Sequence, residues 1–97
     1  MWQSEVKTFT YDKIWMGTGS CNSEGTINTV AGITLAEGIK IIADADNTDD
    51  LLIKWTGLGG GTMNLSANQS VFVPVSDPSS INVDAEANTT NYSFIAW

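Results

Sequence analysis

The feature that most constrains this chain is a succession of short apolar runs separated by turn chemistry, with few charges between them. Residues 38–45 alternate, with Ile39, Ile41 and Ala43 on one face and Lys40, Ile42 and Asp44 opposite. In 51–56 the apolar phase is Leu51, Ile53 and Trp55, and in 70–75 it is Val71, Val73 and Val75 with Phe72 on the other side. Residues 81–85 and 91–97 read as two further strands, and 26–30 and 32–35 as shorter ones. Residues 5–11 set Lys7, Phe9 and Tyr11 against Val6, Thr8 and Thr10. A period of two is the signature of a half-buried strand, and no segment sustains the 3.6-residue stripe of a helix for three turns. The pattern predicts an all-β chain: a single small β-sandwich or jelly-roll-like barrel of about seven or eight short strands.

Turn residues fall between these runs. Asp46, Asn47, Thr48 and Asp49 predict a tight hairpin, since Asp and Asn tolerate left-handed backbone and cap their own turns. The glycines of 57–61 predict a permissive loop, and Asp77-Pro78 a turn with a preset angle. Pro74 cannot donate to a ladder, so its strand is an edge or carries a bulge. Residues 12–24 show no period. The chain therefore divides into 1–24, an N-terminal strand and irregular arm expected to contact a partner, and 25–97, the β-sandwich core.

Composition narrows the function. The chain has 97 residues, enough for one domain, and 42% of them are hydrophobic, enough for a core. Its 11 acids against 4 lysines leave a net charge of −7, which argues against nucleic acid and anionic membranes, both of which need cations. No apolar stretch approaches the roughly 20 residues of a membrane span, and the N-terminus lacks the basic and apolar regions of a signal peptide. Cys21 stands alone, so no internal disulfide forms.

Reactive chemistry is sparse. With no histidine there is no Ser–His or Cys–His pair and no imidazole ligand. The acids sit in turns and strand ends, where solvated carboxylates are the rule, so no enzyme, cofactor or metal is expected. An EF-hand counted from Asp44 would need Gly at its sixth position and Glu at its twelfth; Asp49 and Trp55 stand there. Of the 4 tryptophans, Trp55 and Trp97 fall on strands, whereas Trp2 and Trp15 lie in the least regular part. Tryptophan is enriched at interfaces. Trp2, Phe9, Tyr11, Trp15 and Met16 are therefore the candidate partner-binding residues, with sugar stacking on an exposed indole as the alternative use.

The run Asp44, Ala45, Asp46, Asn47, Thr48, followed by the strands through Leu51, Val71, Ile81 and Phe94 to Trp97, resembles small virion proteins of tailed phages. The resemblance covers 39–97. It implies a non-enzymatic structural protein that decorates and cements the capsid exterior by binding the major capsid protein. It further implies a homo-oligomer, a trimer by analogy, made in the host cytoplasm and located on the virion. A carbohydrate-binding or a fibre or tail adaptor module on the virion surface is the alternative.

Overall fold

A computed structural model describes residues 14–27, 32–55 and 61–97. Among them are eight strands: β1 (Trp15–Cys21), β2 (Gly25–Thr26), β3 (Ile39–Ala43), β4 (Leu51–Trp55), β5 (Thr62–Leu65), β6 (Ser70–Val73), β7 (Ile81–Ala85) and β8 (Thr90–Ala96). A 3-10 turn, Pro78–Ser80, precedes β7. Sheet I has the order β1-β8-β3-β6 and sheet II the order β2-β7-β4-β5. The antiparallel pairs β1·β8, β2·β7, β3·β6 and β4·β5 nest one inside the next, and β3·β8 and β4·β7 join them laterally. This is a jelly roll, a long hairpin rolled into two facing sheets. The expected all-β sandwich is the observed fold.

The core forms from the apolar phase of each strand. Ile39, Ile41, Leu51 and Ile81 are fully buried, and Ile53, Val83, Leu65, Tyr92 and Phe94 lie nearly so. Each such aliphatic side chain contributes about 1.5–3 kcal/mol by leaving water. Thr90 is the one buried polar residue among the described residues, and its hydroxyl donates to the Asn88 carbonyl at 3.1 Å.

Several sequence expectations are corrected. Residues 46–49 do not make a tight hairpin, because β3 lies in sheet I and β4 in sheet II. The connection instead crosses between sheets and is tied to β8 by Asn47. Its Nδ2 donates to the Asn91 carbonyl at 2.8 Å, and its Oδ1 accepts the Asn91 N–H at 2.9 Å. The amide side chain thus occupies the place of a neighbouring strand. Residues 15–21, within the stretch read as irregular, form β1, a full strand of sheet I. Residues 32–35 are not a strand; Leu35 is anchored instead by its N–H on the Ser76 carbonyl at 2.7 Å and by burial. β5 had no counterpart among the expected strands, and only Gly25–Thr26 represents the strand expected at 26–30, of which 28–30 lie outside the described residues. The expected strand at 5–11 also lies outside them. Pro74 follows β6, which is an edge strand as its ring requires. Asp77 caps the 3-10 turn, accepting from the Ser79 N–H at 3.0 Å, with Pro78 at the first position.

Candidate functional site on the outer face of sheet I

Each sheet has one face in the core and one facing outward, and the two outward faces differ in chemistry. On sheet II the outward residues Lys54, Asn82 and Asp84 form a polar network with Glu24. The Lys54 ammonium pairs with Glu24 at 2.7 Å and Asp84 at 3.4 Å, and Asn82 donates to Glu24 at 3.2 Å. The Lys54 hydrogen bond holds the Glu24 carboxyl below the usual carboxylate range.

The outward face of sheet I is apolar over half its extent. The ladders align its outward side chains in crosswise rows: Met16, Ile95, Lys40 and Phe72 in one, and Thr18, Ser93, Ile42 and Ser70 in the next. A third row holds Ser20 and Asn91, with Asp44 beside them through its N–H on the Asn91 carbonyl at 3.1 Å. Met16 is 74% exposed, Phe72 43%, and Ile14, just ahead of β1, 59%. Phe72 meets the Trp97 ring with centroids 5.4 Å apart. A shallow groove of about 460 Å³ runs along Met16, Thr18, Ile42, Ser93 and Ile95. It adjoins a polar depression lined by Ser20, Asp44 and Asn91 that shares Thr18 and Ser93 with it.

Gly38 shapes one end of this face. A Cβ there would collide with the Val73 carbonyl and lie 2.8 Å from Phe72 Cζ, so the Phe72 ring needs a residue without a side chain beneath it. Backbone bonds between Gly38 and Trp97 (3.2 and 3.1 Å) hold the chain end beside it.

Of the residues expected to bind a partner, Trp2, Phe9 and Tyr11 lie outside the described residues. The pleat of β1 separates the other two: Trp15 turns inward and packs half-buried against the core, while Met16 points out. Met16 is joined on the face by residues not singled out as partner-binding from the sequence: Ile95, Phe72, Ile42, Trp97 and Lys40. The signal was present where apolar residues occupy both phases of a strand, as in Ile41-Ile42 and Phe94-Ile95. The described indoles, Trp15, Trp55 and Trp97, are all half-buried.

The acids of 44–50 disperse toward different partners. Asp49 accepts from Asn88 at 2.8 Å, and Asp50 from Ser66 at 3.2 Å and Asn64 at 3.5 Å. Among the described residues no group of three or more His, Cys, Asp or Glu is placed to hold a metal ion. Cys21 is half-buried, and burial, with Asp84 second, pushes its thiol up from the ordinary value.

Fold and face together define a jelly roll, eight-stranded among the described residues, with one apolar outer sheet face. Its solved structural neighbours include a putative ethanolamine utilization protein Q from Salmonella typhimurium LT2, at 17% identity and a TM-score of 0.55, covering 87% of this chain. Protein NMB1881 from Neisseria meningitidis is similar at 15% identity and a TM-score of 0.55, over 84% of this chain and 70% of that one. The chain spans 57% of the length of the Salmonella protein. No family model matches the chain, and no curated protein does. At these identities the likeness establishes the fold alone. The expectation of a tailed-phage virion protein, whether capsid cement or fibre adaptor, is corrected by it: the neighbours are bacterial proteins of other description. The stretch 44–48 that suggested the phage family is accounted for by a local need, the Asn47 clasp on β8.

Proposed function

We propose that this chain is a non-enzymatic docking module that works through the outer face of sheet I. The observation that carries this reading is the contrast between the two outward faces. One is charged and internally paired; the other exposes Met16 and Phe72 and lines a groove with Met16 and the half-buried Ile42 and Ile95. Exposed single hydrophobes are ordinary, but a contiguous apolar patch rimmed by polar residues marks a contact surface. The polar rim is supplied here by Ser20, Asn91, Ser93 and Thr18.

Methionine footprinting tests this reading. Met16 and Met63 are both exposed, but only Met16 lies on the face. Brief peroxide treatment converts accessible methionine to sulfoxide. In a lysate of cells expressing the protein, Met16 is expected to oxidise several-fold more slowly than in dilute purified protein, with Met63 unchanged. Equal Met16 oxidation in both settings overturns the reading.

A further inference from the structure

Resting on this docking reading, we infer that the partner is a protein segment in extended conformation that sets a lysine or arginine over Asp44 and an apolar side chain, two residues further on, over the Met16 groove. Shape, charge and the order of charges along β3 choose this occupant.

The groove and the polar depression lie end to end along the strands, over β1, β8 and β3, and meet at Thr18 and Ser93. The depression, of about 520 Å³, has room for the polar head of a long side chain, with Asp44, Asn91 and Ser20 around it as hydrogen-bonding groups. Outward residues of one strand recur about every 6.7 Å. The two hollows, one row of the sheet apart, therefore repeat at the spacing of alternate side chains in an extended chain. A segment laid along β8 fills both with residues two apart.

The charge of the face selects a cation for the depression. Asp44 is exposed, and its Oδ2 accepts the Asp46 N–H at 3.3 Å. Both ion pairs of the described residues are made by Lys54, on the other sheet, so no described cation pairs with Asp44. Asp46 stands beside it, and Glu37 marks the opposite end of the face with its N–H on the Trp97 carbonyl. Against these three acids the face carries Lys40 alone among its described residues. The net charge of −7 acts in the same direction, drawing in basic partners and repelling acidic ones.

Lys40 and Asp44 stand two rows apart along the strand direction. A cation over Asp44 leaves an apolar or neutral residue level with Lys40, where Met16 and Ile95 share the row. A segment turned end for end sets its cation on Lys40 and its apolar residue on Asp44. The positive charge therefore belongs at the depression end of the segment.

The test titrates the unmodified protein with the blocked heptapeptide Thr-Lys-Thr-Leu-Thr-Leu-Thr and follows backbone amide shifts by NMR. A segment this short on a shallow face binds weakly, at roughly 0.1–1 mM. The expected shifts fall on Met16, Thr18, Asn91, Ser93 and Ile95, and rising salt weakens them. Replacing the peptide's lysine by glutamate, or both leucines by serine, is expected to weaken binding at least fivefold. Asp44→Asn should weaken the lysine peptide three- to tenfold, and Asp77→Asn, an acid removed from the face, should leave it unchanged. Shifts absent from the face, equal binding of the glutamate peptide, or equal losses in Asp44→Asn and Asp77→Asn each overturn the basic-segment inference. The methionine footprint is read without peptide, so shielding of Met16 in lysate keeps the docking reading with a partner of other chemistry. Because the three peptides are compared on the unmodified chain, a variant that fails to fold does not remove the test.

Discussion

Gly19 and Tyr92 face each other across the β1·β8 ladder, and the missing side chain of the first makes room for the phenol ring of the second. A Cβ on residue 19 would lie 2.5 Å from Tyr92 Cζ and 3.0 Å from Cε1. Tyr92 is only 2% exposed and cannot swing aside. Gly19→Ala is therefore expected to destabilise the fold by about 1–3 kcal/mol, the cost of overpacking a filled core. Gly25→Ala, with open space around its Cβ, is the control and should stay within about 0.5 kcal/mol. Urea midpoints of the two variants decide the matter; equal midpoints refute the packing argument.

Asn47 replaces a strand partner for Asn91 with its own side chain. Asn47→Ala removes two hydrogen bonds, each worth about 0.5–1.5 kcal/mol, and should cost about 1–2 kcal/mol because the site is half-exposed. Asn47→Asp keeps the acceptor for the Asn91 N–H and loses the donor, so an intermediate loss is expected. Faster amide exchange at Asn91 in both variants would locate the effect.

Stability is expected to fall in acid. Hydrogen bonds from Asn88 hold the Asp49 carboxyl below its ordinary value, those from Ser79 do the same for Asp77, and the bond from Lys54 lowers Glu24. A carboxyl depressed on folding contributes stability that is present above its unfolded value, near 4 for these groups, and that is lost as pH falls through the folded value. The melting temperature should hold from pH 7 to about 5 and decline from pH 4 downward. Asp49→Asn and Asp77→Asn should each flatten that decline. All three carboxyls are at the surface, so each effect is modest. A melting temperature independent of pH down to 3 would contradict the assignment.

Cys21 should be a slow nucleophile. Its thiol is pushed up by burial and by Asp84, so less thiolate exists at pH 8 than in free cysteine. Iodoacetamide labelling of the folded protein is expected to run several-fold slower than labelling in urea. Equal rates would show that neither burial nor charge protects it.

How much of this was legible in the sequence depends on where each strand keeps its apolar residues. β3, β4 and β7 carry their own inward Ile, Leu and Val, and their period of two shows directly. β1 does not. Its inward positions include Gly17 and Gly19, and the volume there comes from Phe94 and Tyr92 of β8, so the pattern belongs to the pair rather than to the strand. β5 was obscured in a similar way: Thr62 and Asn64 face outward, and Met63 sits at the open edge of the sandwich. Asp46 to Asp49 has the composition of a hairpin turn, yet the same residues serve a crossing between sheets, a distinction local chemistry does not encode. The apolar outer face of sheet I was illegible for a related reason. Ile42 stands in the sequence on the phase opposite Ile39 and Ile41, and only the ladders bring it and Ile95 onto one face as diagonal neighbours.

The nesting of strand pairs also sets an order in time. β4 and β5 are neighbours in the chain and can meet early, whereas β1 must wait for β8, made last among the described strands. A nascent chain therefore leaves the ribosome with Trp15–Cys21 still awaiting its ladder, and commitment to the native state comes only when the last strand is released. Distant pairings of this kind close slowly. Loss of β8 takes away the strand that lies between β1 and β3, and with it the lateral continuity of sheet I.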